Sequence, residues 1–512
     1  MKPRIYLDTN KFAVLLWGMS ERFVGREKEL ARLHDFTSPP EAGFMIVRGR
    51  RRIGKSWLLG KFAKDTCAFS FQGDGDSTSR QTMKKFAEAW KSHSGDDSLT
   101  VIRAMDLSWS RIFRRMTSYF WETSPMGVTL IFDEVQWIAK RKSGFLGQLK
   151  EAWQSWEGWA KVKIILCGSS QRFFADNTAS ETSVLHRMRT VADLRVWPFS
   201  PSEIQRHYFP EWTREQVALA FMMTGGVPYY LDRIPKDSNF IRAINTAFFT
   251  QDSIFLDEFR EVLNLEFTKS SSRTAESLLA VMGQDGSTME NLCKKSTVKS
   301  ESTVRTLLDQ LVTYGIVAEK KQSGKVKANR RGTKFYIRDP FLNFYFQVLR
   351  PMAPRIRKNE GANLFKECLG SKTGYYIENF TGKAFELMGE WILGRELSPA
   401  GQERIFKKLG LQDDDFEVGH HWEEGKTQVD LVIPNEADRE SRLLEMKWLG
   451  GKAGLASGYL EQLRQKAYTP PKGWAASHHL LTSGDTTAPM KKKAKAEKVS
   501  LLGLGDLFDR KQ

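Results

Sequence analysis

The stretch Phe44-Met-Ile-Val-Arg-Gly49-Arg-Arg-Arg-Ile-Gly54-Lys55-Ser56 decides the fold of the first part of this chain. An apolar run of strand length passes directly into Gly49-x-x-x-x-Gly54-Lys55-Ser56, and a helix is expected from Trp57 to Ala63. A loop of this kind surrounds phosphates: the glycines let backbone N–H groups close on the anion, Lys55 adds a point charge, and Ser56 offers its hydroxyl to Mg2+. Gly49, Arg52, Ile53, Gly54, Lys55, Ser56 and Trp57 make up the expected cradle, with the positive end of the helix aimed at the same charge. The plain alternative is a basic glycine turn that matches the pattern by chance. Two further strands argue against it.

Val128-Thr-Leu-Ile-Phe-Asp133-Glu134 is a second buried-type strand ending in carboxylates. Asp133 suits Mg2+ through water, and Glu134 suits orienting and deprotonating an attacking water. A third strand, Val162-Lys-Ile-Ile-Leu-Cys-Gly168, ends in Ser169-Ser170, where a sensor of a γ-phosphate would sit. Strands that alternate with helices and end in polar chemistry predict an α/β fold, a parallel sheet with crossover helices that binds ligands at the carboxyl ends of its strands.

At these residues the chain resembles the archaeal-type ATPases of the STAND and AAA+ group. Phe23-Val-Gly-Arg26-Glu-Lys-Glu29-Leu looks like that family's opening box, Gly49 to Ser56 like its Walker A and Asp133-Glu-Val-Gln136-Trp like its Walker B extension. Cys167-Gly-Ser-Ser170 resembles its sensor strand, and Gly225-Gly-Val-Pro228-Tyr-Tyr-Leu231 resembles the opening of its lid. The resemblance implies ATP as nucleotide, with Arg26 near the base or ribose. It also points to Leu185-His-Arg187-Met-Arg189-Thr190, where Met188 stands in place of a usual glycine and Arg189 is the candidate charge-stabilising arginine, with Arg187 close behind. Such an arginine acts within its own subunit or on a neighbour, which leaves a homo-oligomer or a protein partner open. A solvated basic loop is the alternative.

At 512 residues, with 41% apolar content, the chain has room for about three domains of roughly 100–200 residues. No run approaches the roughly 18 apolar residues of a membrane span, so no membrane contact is expected. Cys67, Cys167, Cys293 and Cys368 are widely separated, without metal-ligand spacing, and read as reduced thiols. A cytoplasmic protein is expected, since the apolar patch from Phe12 to Trp17 is short for a signal core and lacks a cleavage site. Ile5-Tyr-Leu-Asp8-Thr-Asn10 looks superficially like the first strand of a metal-dependent nuclease, but one carboxylate cannot hold two metals. An arm over residues 1–19, or a true start at Met19, is expected instead.

The net charge of +17 and pI near 9.5 are the footprint of a protein that meets phosphate backbones, so nucleic acid is the expected partner and DNA the favoured one. Lys320, Lys321, Lys325, Lys327, Arg330, Arg331 and Lys334 crowd one glycine-punctuated segment. It follows three expected helices: Thr274–Met282, a second opened by the capping box Ser287-Thr-Met-Glu290 and running to Lys295, and a third capped by Ser300. In the third, Val304, Leu307, Leu308, Leu311 and Val312 share one face, leaving Ser302, Thr303, Arg305 and Thr306 outside. This is the pattern of a winged helix-turn-helix with a basic wing from Lys320 to Tyr336. Internal packing is the competing role, and Glu301 at the outward end weighs against DNA. The aromatics between Phe335 and Phe346 read as core.

Arg350 to Gly361, basic and proline-containing, is expected to be a linker to a last domain. There Val429-Asp430-Leu-Val-Ile433 and Leu443-Leu-Glu445-Met-Lys447-Trp448 read as a hairpin with Glu445 and Lys447 on one face. Two carboxylates and an ammonium are what metal-dependent phosphodiester hydrolysis uses: Asp430 and Glu445 for Mg2+ or Mn2+, Lys447 for the hydroxide. Asp430, Glu445 and Lys447 resemble the PD-(D/E)xK nuclease superfamily over Gly374 to Leu507, with Val429 in place of the proline. Glu378 or Glu386 could add a carboxylate, and Lys491-Lys-Lys-Ala-Lys495 is either a backbone grip or a solvated turn.

The expected layout is an arm over 1–19, a P-loop parallel-sheet ATPase core over 20–200 and a helical lid over 201–268. A winged helix over 269–348, a linker over 349–372 and an α/β restriction-endonuclease-like domain over 373–512 complete it. Two functions stay open: an ATPase that gates a nuclease, and an ATP-switched DNA- or protein-binding regulator with an inactive nuclease-like domain.

Overall fold

A computed structural model describes residues 23–39, 41–123, 127–140, 143–156, 161–178, 183–187, 192–320, 333–358, 363–369, 375–398, 402–411, 418–423, 427–449, 459–466, 468–484 and 486–508. The expected arm, Arg189 and most of the expected wing lie outside these residues. The chain divides into two compact units after Trp197. No helix of the described residues is long and apolar enough to cross a membrane.

The first unit is built on a five-stranded sheet of β1 (Gly43–Arg48), β2 (Phe69–Gln72), β3 (Val128–Asp133), β4 (Val162–Gly168) and β5 (Ala192–Arg195), ordered β2-β3-β4-β1-β5. Every neighbouring pair is parallel. Helices cover both faces of a parallel sheet, so its central strands read as unbroken apolar runs, and β4 is buried at every position. The helix Trp109–Thr123 turns Trp109, Ile112, Phe113, Met116 and Phe120 inward, at helical spacing. Phe86, on the helix Ser79–Ser94, stacks on Phe132 and meets Phe69 and Trp109 edge-on. The order matters for chemistry because β4 lies between the strand that leads into the phosphate loop and the strand that ends in Asp133, so its end falls between theirs.

The second unit opens with two helices, Pro201–His207 and Arg214–Thr224, each with a reciprocal capping box. The Gly-Gly-Val-Pro motif is a helix stop followed by a start. Gly225 takes the left-handed conformation that ends one helix, and Pro228 begins the next. Gly226 is required between them, because a Cβ there would lie 2.1 Å from the Phe199 carbonyl oxygen.

A small antiparallel sheet of β6 (Ser287–Thr288), β7 (Val317–Lys320) and β8 (Lys334–Ile337), ordered β6-β8-β7, accompanies helices Lys269–Leu279, Met289–Lys295 and Glu301–Thr313. The first helix starts earlier than its apolar spacing suggests because Thr268 caps it. The second is capped by Thr288, not Ser287, which belongs to β6, and Glu290 turns to Lys294 instead of closing a capping box. The third starts at Ser300 as expected. Val304, Leu307, Leu308 and Leu311 are buried, Val312 only partly, and Ser302, Thr303, Arg305 and Thr306 are exposed.

The passage expected to be a linker is helical from Arg350 to Arg357, continuing Pro340–Phe344 through a π turn at Tyr345–Leu349. Packing outweighs its prolines: Phe341, Phe344, Tyr345 and Phe346 are core, with Tyr345 stacked on Phe259 at 4.2 Å.

A mixed five-stranded sheet follows, β9 (Gly419–Glu423), β10 (Thr427–Asn435), β11 (Glu440–Lys447), β12 (Ala475–Thr482) and β13 (Val499–Gly503), in the order β13-β12-β11-β10-β9. β9, β10 and β11 are antiparallel, whereas β11, β12 and β13 are parallel. The helix Tyr375–Leu393 packs on β11 through Gly389, where a Cβ would lie 2.4 Å from Met446 Sδ. The lysine-rich Lys491–Lys495 is not a turn but part of a helix, Ala488–Ala496, capped by Thr487.

Candidate functional site

The phosphate loop is shaped by two glycines with different duties. A Cβ at Gly49 would lie 2.5 Å from the Val196 carbonyl oxygen, so the loop presses on the chain just beyond β5. Gly54, at φ 91°, turns the chain into the helix Lys55–Thr66, which begins two residues before the expected Trp57. Lys55 is buried and donates to the carbonyls of Gly49 and Arg50, at 2.9 Å each, so the loop closes around its ammonium. Ser56 is exposed at the first turn, Trp57 half-buried, and the Ile53 side chain is core. Arg52 is left-handed at φ 66°.

Arg26 sits against this loop from inside. Its guanidinium donates to Glu29 at 2.9 Å, to the Trp197 carbonyl at 2.7 Å and to the Ile53 carbonyl at 3.1 Å, and it is 4% exposed. The geometry makes it a brace for the loop.

Asp133 is buried at the end of β3, and its Oδ1 accepts the Glu134 N–H at 2.8 Å. Glu134 is held left-handed, φ 48° and ψ 47°, a conformation that costs a non-glycine residue energy and is found where a site aims a side chain. Ser169 Oγ reaches both of its carboxylate oxygens, at 3.0 and 2.8 Å, and Gln136 Nε2 donates to Oε2. The paired serines therefore divide their work: Ser169 faces Glu134, while Ser170 accepts the Phe173 N–H at the start of the next helix. Gln136 as a clamp on Glu134 is a role that sequence spacing did not reveal. Gly168 is its visible trace, since a Cβ there would lie 2.6 Å from Gln136 Oε1. Arg187 ends the short helix Val184–Arg187.

The second unit gathers a separate charged group. Asp430 on β10 and Glu445 on β11 are 3% and 2% exposed. Asp430 Oδ2 accepts the Met446 N–H at 2.9 Å. Glu445 Oε1 receives Lys447 at 3.0 Å and the Tyr459 hydroxyl at 3.1 Å, and Oε2 receives Lys466 at 2.7 Å. Glu386, from the helix Tyr375–Leu393, is bound by Lys383, which also pairs with Asp285 at 3.2 Å. The sequence-expected Asp430, Glu445 and Lys447 do converge, and Glu386 joins them; the Glu378 side chain lies outside the description.

Burial and then the neighbouring Asp430 push the Glu386 carboxyl up to about 7, and burial with Glu445 raises Asp430. Burial acts upward on Glu445 as well, but Lys447 and Lys466 outweigh it and hold that carboxyl below its ordinary range. His420 donates from Nδ1 to the Asp430 carbonyl at 2.8 Å, a contact that requires the proton on Nδ1, and burial lowers its pKa.

This donor set does not fit a divalent cation as it stands. Both oxygens of Glu445 are taken by ammonium and phenol groups, and among the described residues no three His, Cys, Asp or Glu side chains are grouped to hold a metal.

Residues 23–234 match the family described as an ATPase domain predominantly from Archaea. The chain is similar to an uncharacterized protein of Methanocaldococcus jannaschii, 23% identical over 83% of this chain and 87% of that one. It is also similar to the Walker-type ATPase of Pyrococcus abyssi, at 19% identity and a TM-score of 0.47, over 65% of this chain and 97% of that one. For the ORC2 protein of Aeropyrum pernix in its ADPNP-ADP complexes the figures are 13%, 0.41, 67% and 96%. The loop, the acidic strand end and the family match agree that residues 23–234 are a P-loop ATPase domain of the archaeal type.

Proposed function

We propose that the protein hydrolyses ATP and uses the cycle to act on nucleic acid through its second unit, with a candidate nuclease in the mixed sheet gated by ATP. The observation that carries the first step is the convergence of Lys55, Asp133, Glu134 and Ser169 at the ends of β1, β3 and β4. Lys55 and the loop N–H groups bind the phosphates. Ser56 and Asp133 would hold Mg2+, which neutralises phosphate charge when bound. Glu134 takes a proton from the attacking water at a carboxylate oxygen. Ser169 has one hydroxyl hydrogen, so giving it to a γ-phosphate releases Glu134 for that task. Arg189 is the proposed charge-stabilising arginine, in its own subunit or a neighbour's within a homo-oligomer. The test is ATP turnover by purified protein with and without DNA or RNA; no turnover under any of these conditions removes the reading.

The net charge and the exposed face of the Glu301–Thr313 helix support a winged helix-turn-helix that meets DNA. Neutralising Lys325, Lys327, Arg330 and Arg331 is expected to weaken binding and flatten its salt dependence by about 0.9 in logarithmic slope per lost phosphate contact. An unchanged slope would mean that the hairpin serves internal packing.

Asp430, Glu445 and Lys447 on adjacent strands of a mixed sheet support the nuclease-like assignment of the last domain. Incubation with plasmid, linear DNA and RNA, with Mg2+ or Mn2+ and with or without ATP, decides whether it cleaves, and cleavage of any of them is the outcome the nuclease reading requires. Asp430→Ala, Glu445→Ala or Lys447→Ala should each abolish it while ATP hydrolysis persists. The engagement of Glu445 by Lys447 and Lys466 favours the second reading, an ATP-switched DNA- or protein-binding regulator, and that reading stands if the wild type cleaves none of these substrates.

A further inference from the structure

Two energetic costs meet at Glu134. Its backbone is left-handed, and Gln136, which grips its carboxylate, has its own Oε1 buried without a hydrogen-bond partner among the described residues. A buried acceptor without a donor is destabilising, yet turning the amide over would set Oε1 against the Glu134 carboxylate, which is worse. The amide is therefore fixed with Nε2 on Glu134 Oε2. Gly168, the last residue of β4, makes room for that orientation, since a Cβ there would lie 2.6 Å from Gln136 Oε1.

The backbone under Gln136 is constrained as well. Val135 and Ile138 anchor the short helix Val135–Ile138 in the core. On the side away from β4 lies the segment after β2. There the Gly73 N–H donates to the Asp133 carbonyl at 2.8 Å, and a Cβ at Gly73 would lie 2.6 Å from the Glu134 carbonyl oxygen. Wedged between Gly73 and Gly168, the helix offers the Gln136 amide to one place.

The two carboxylate oxygens of Glu134 are consequently not equivalent. Oε2 accepts from Gln136 and lies 2.8 Å from Ser169 Oγ, whereas Oε1 lies 3.0 Å from that hydroxyl and has no other partner among the described residues. One hydroxyl hydrogen cannot serve both oxygens and a γ-phosphate. When it turns to the phosphate, Oε1 loses its donor and Oε2 keeps Gln136.

We infer that Gln136 is a positioning residue for hydrolysis: it holds Glu134 Oε2 throughout turnover, so that Oε1 is the oxygen that takes the proton of the attacking water. The inference rests on reading Glu134 as the base. As the water oxygen bonds to the γ-phosphorus, the bond to the bridging oxygen breaks, ADP leaves, and one water proton goes to Oε1. A carboxylate without this anchor keeps its chemistry and loses its aim.

Gln136→Met keeps the length of the side chain and removes the donor. In the full-length protein it is expected to bind a fluorescent ATP analogue as wild type does and to hydrolyse ATP about 10- to 100-fold more slowly in single turnover, the loss expected of a misaimed group. Gly168→Ala, which crowds the amide and leaves Glu134 and Gln136 in place, should slow hydrolysis in the same way. Circular dichroism checks folding; should one variant not fold, the other decides. In a Glu134→Gln background either change should cost little more, because residues acting as a unit are not additive, whereas a merely structural role would slow both backgrounds alike. The inference is overturned if the folded variants hydrolyse ATP at the wild-type rate, if their loss lies in binding, or if it recurs in full in the Glu134→Gln background. Turnover that is sensitive to Glu134→Gln but not to Gln136→Met removes the anchor alone. A wild type that hydrolyses no ATP, or one that Glu134→Gln leaves unchanged, removes the anchor together with the base.

Discussion

Glu134→Gln is expected to bind ATP as wild type does and to hydrolyse it about 10²–10⁴-fold more slowly, the usual contribution of a positioned general base. Glutamine keeps the shape and can still meet Ser169 and Gln136, but it cannot accept a proton from water. Asp133 does not substitute for it, since one of its oxygens is on the Glu134 N–H and it is buried. Lys55→Ala should instead lose binding, because the ammonium that organises the Gly49 and Arg50 carbonyls and meets the phosphates is gone. Equilibrium binding of a fluorescent ATP analogue, paired with single-turnover hydrolysis, separates the two. Equal turnover in Glu134→Gln and wild type would remove the base assignment.

Arg338→Ala is expected to destabilise the second unit by about 3–5 kcal/mol, because removing one member of a buried ion network leaves uncompensated charge behind. Glu390 and Glu396, whose side chains are 12% and 19% exposed, would both lose their guanidinium. Among the described residues, Glu390 would keep the Tyr336 hydroxyl and a distant His420. A combined Arg338→Met, Glu390→Gln and Glu396→Gln chain should recover much of the loss, since the penalty lies in the unpaired charges more than in the missing attraction. Urea unfolding followed by hydrogen exchange at the Tyr375–Leu393 helix reads the effect. A loss below about 1 kcal/mol, the value of an exposed pair, would show that the network is solvated and fastens nothing.

The reach of local pattern differs between the two sites. Gly49, Asp133, Glu134 and Ser169 were legible because each follows or ends a strand whose burial writes a largely apolar run, and Gly54 and Lys55 because the loop's chemistry is encoded within the one short segment from β1 to the next helix. Asp430, Glu445 and Lys447 were legible for a related reason, as neighbouring strands with alternating faces. The helix after Leu349 was not, since prolines and basic residues resemble a linker until the aromatic core that holds Phe344 and Tyr345 is in view.

The sequence by itself determined that the first unit is a parallel-sheet phosphate-binding domain, because strand burial, glycine turns and helix starts are all near-neighbour effects. Tertiary structure alone decided how the charged groups pair. It drew Arg26 under the loop, set Gln136 and Ser169 on Glu134, and placed Lys320, the last residue of β7, in one cavity with Glu386. An ammonium on a short, polar-faced strand can end in solvent, on phosphate or on a carboxylate, and nothing in its immediate neighbours distinguishes these. The choice is made by which distant strand and helix the core packs beside it.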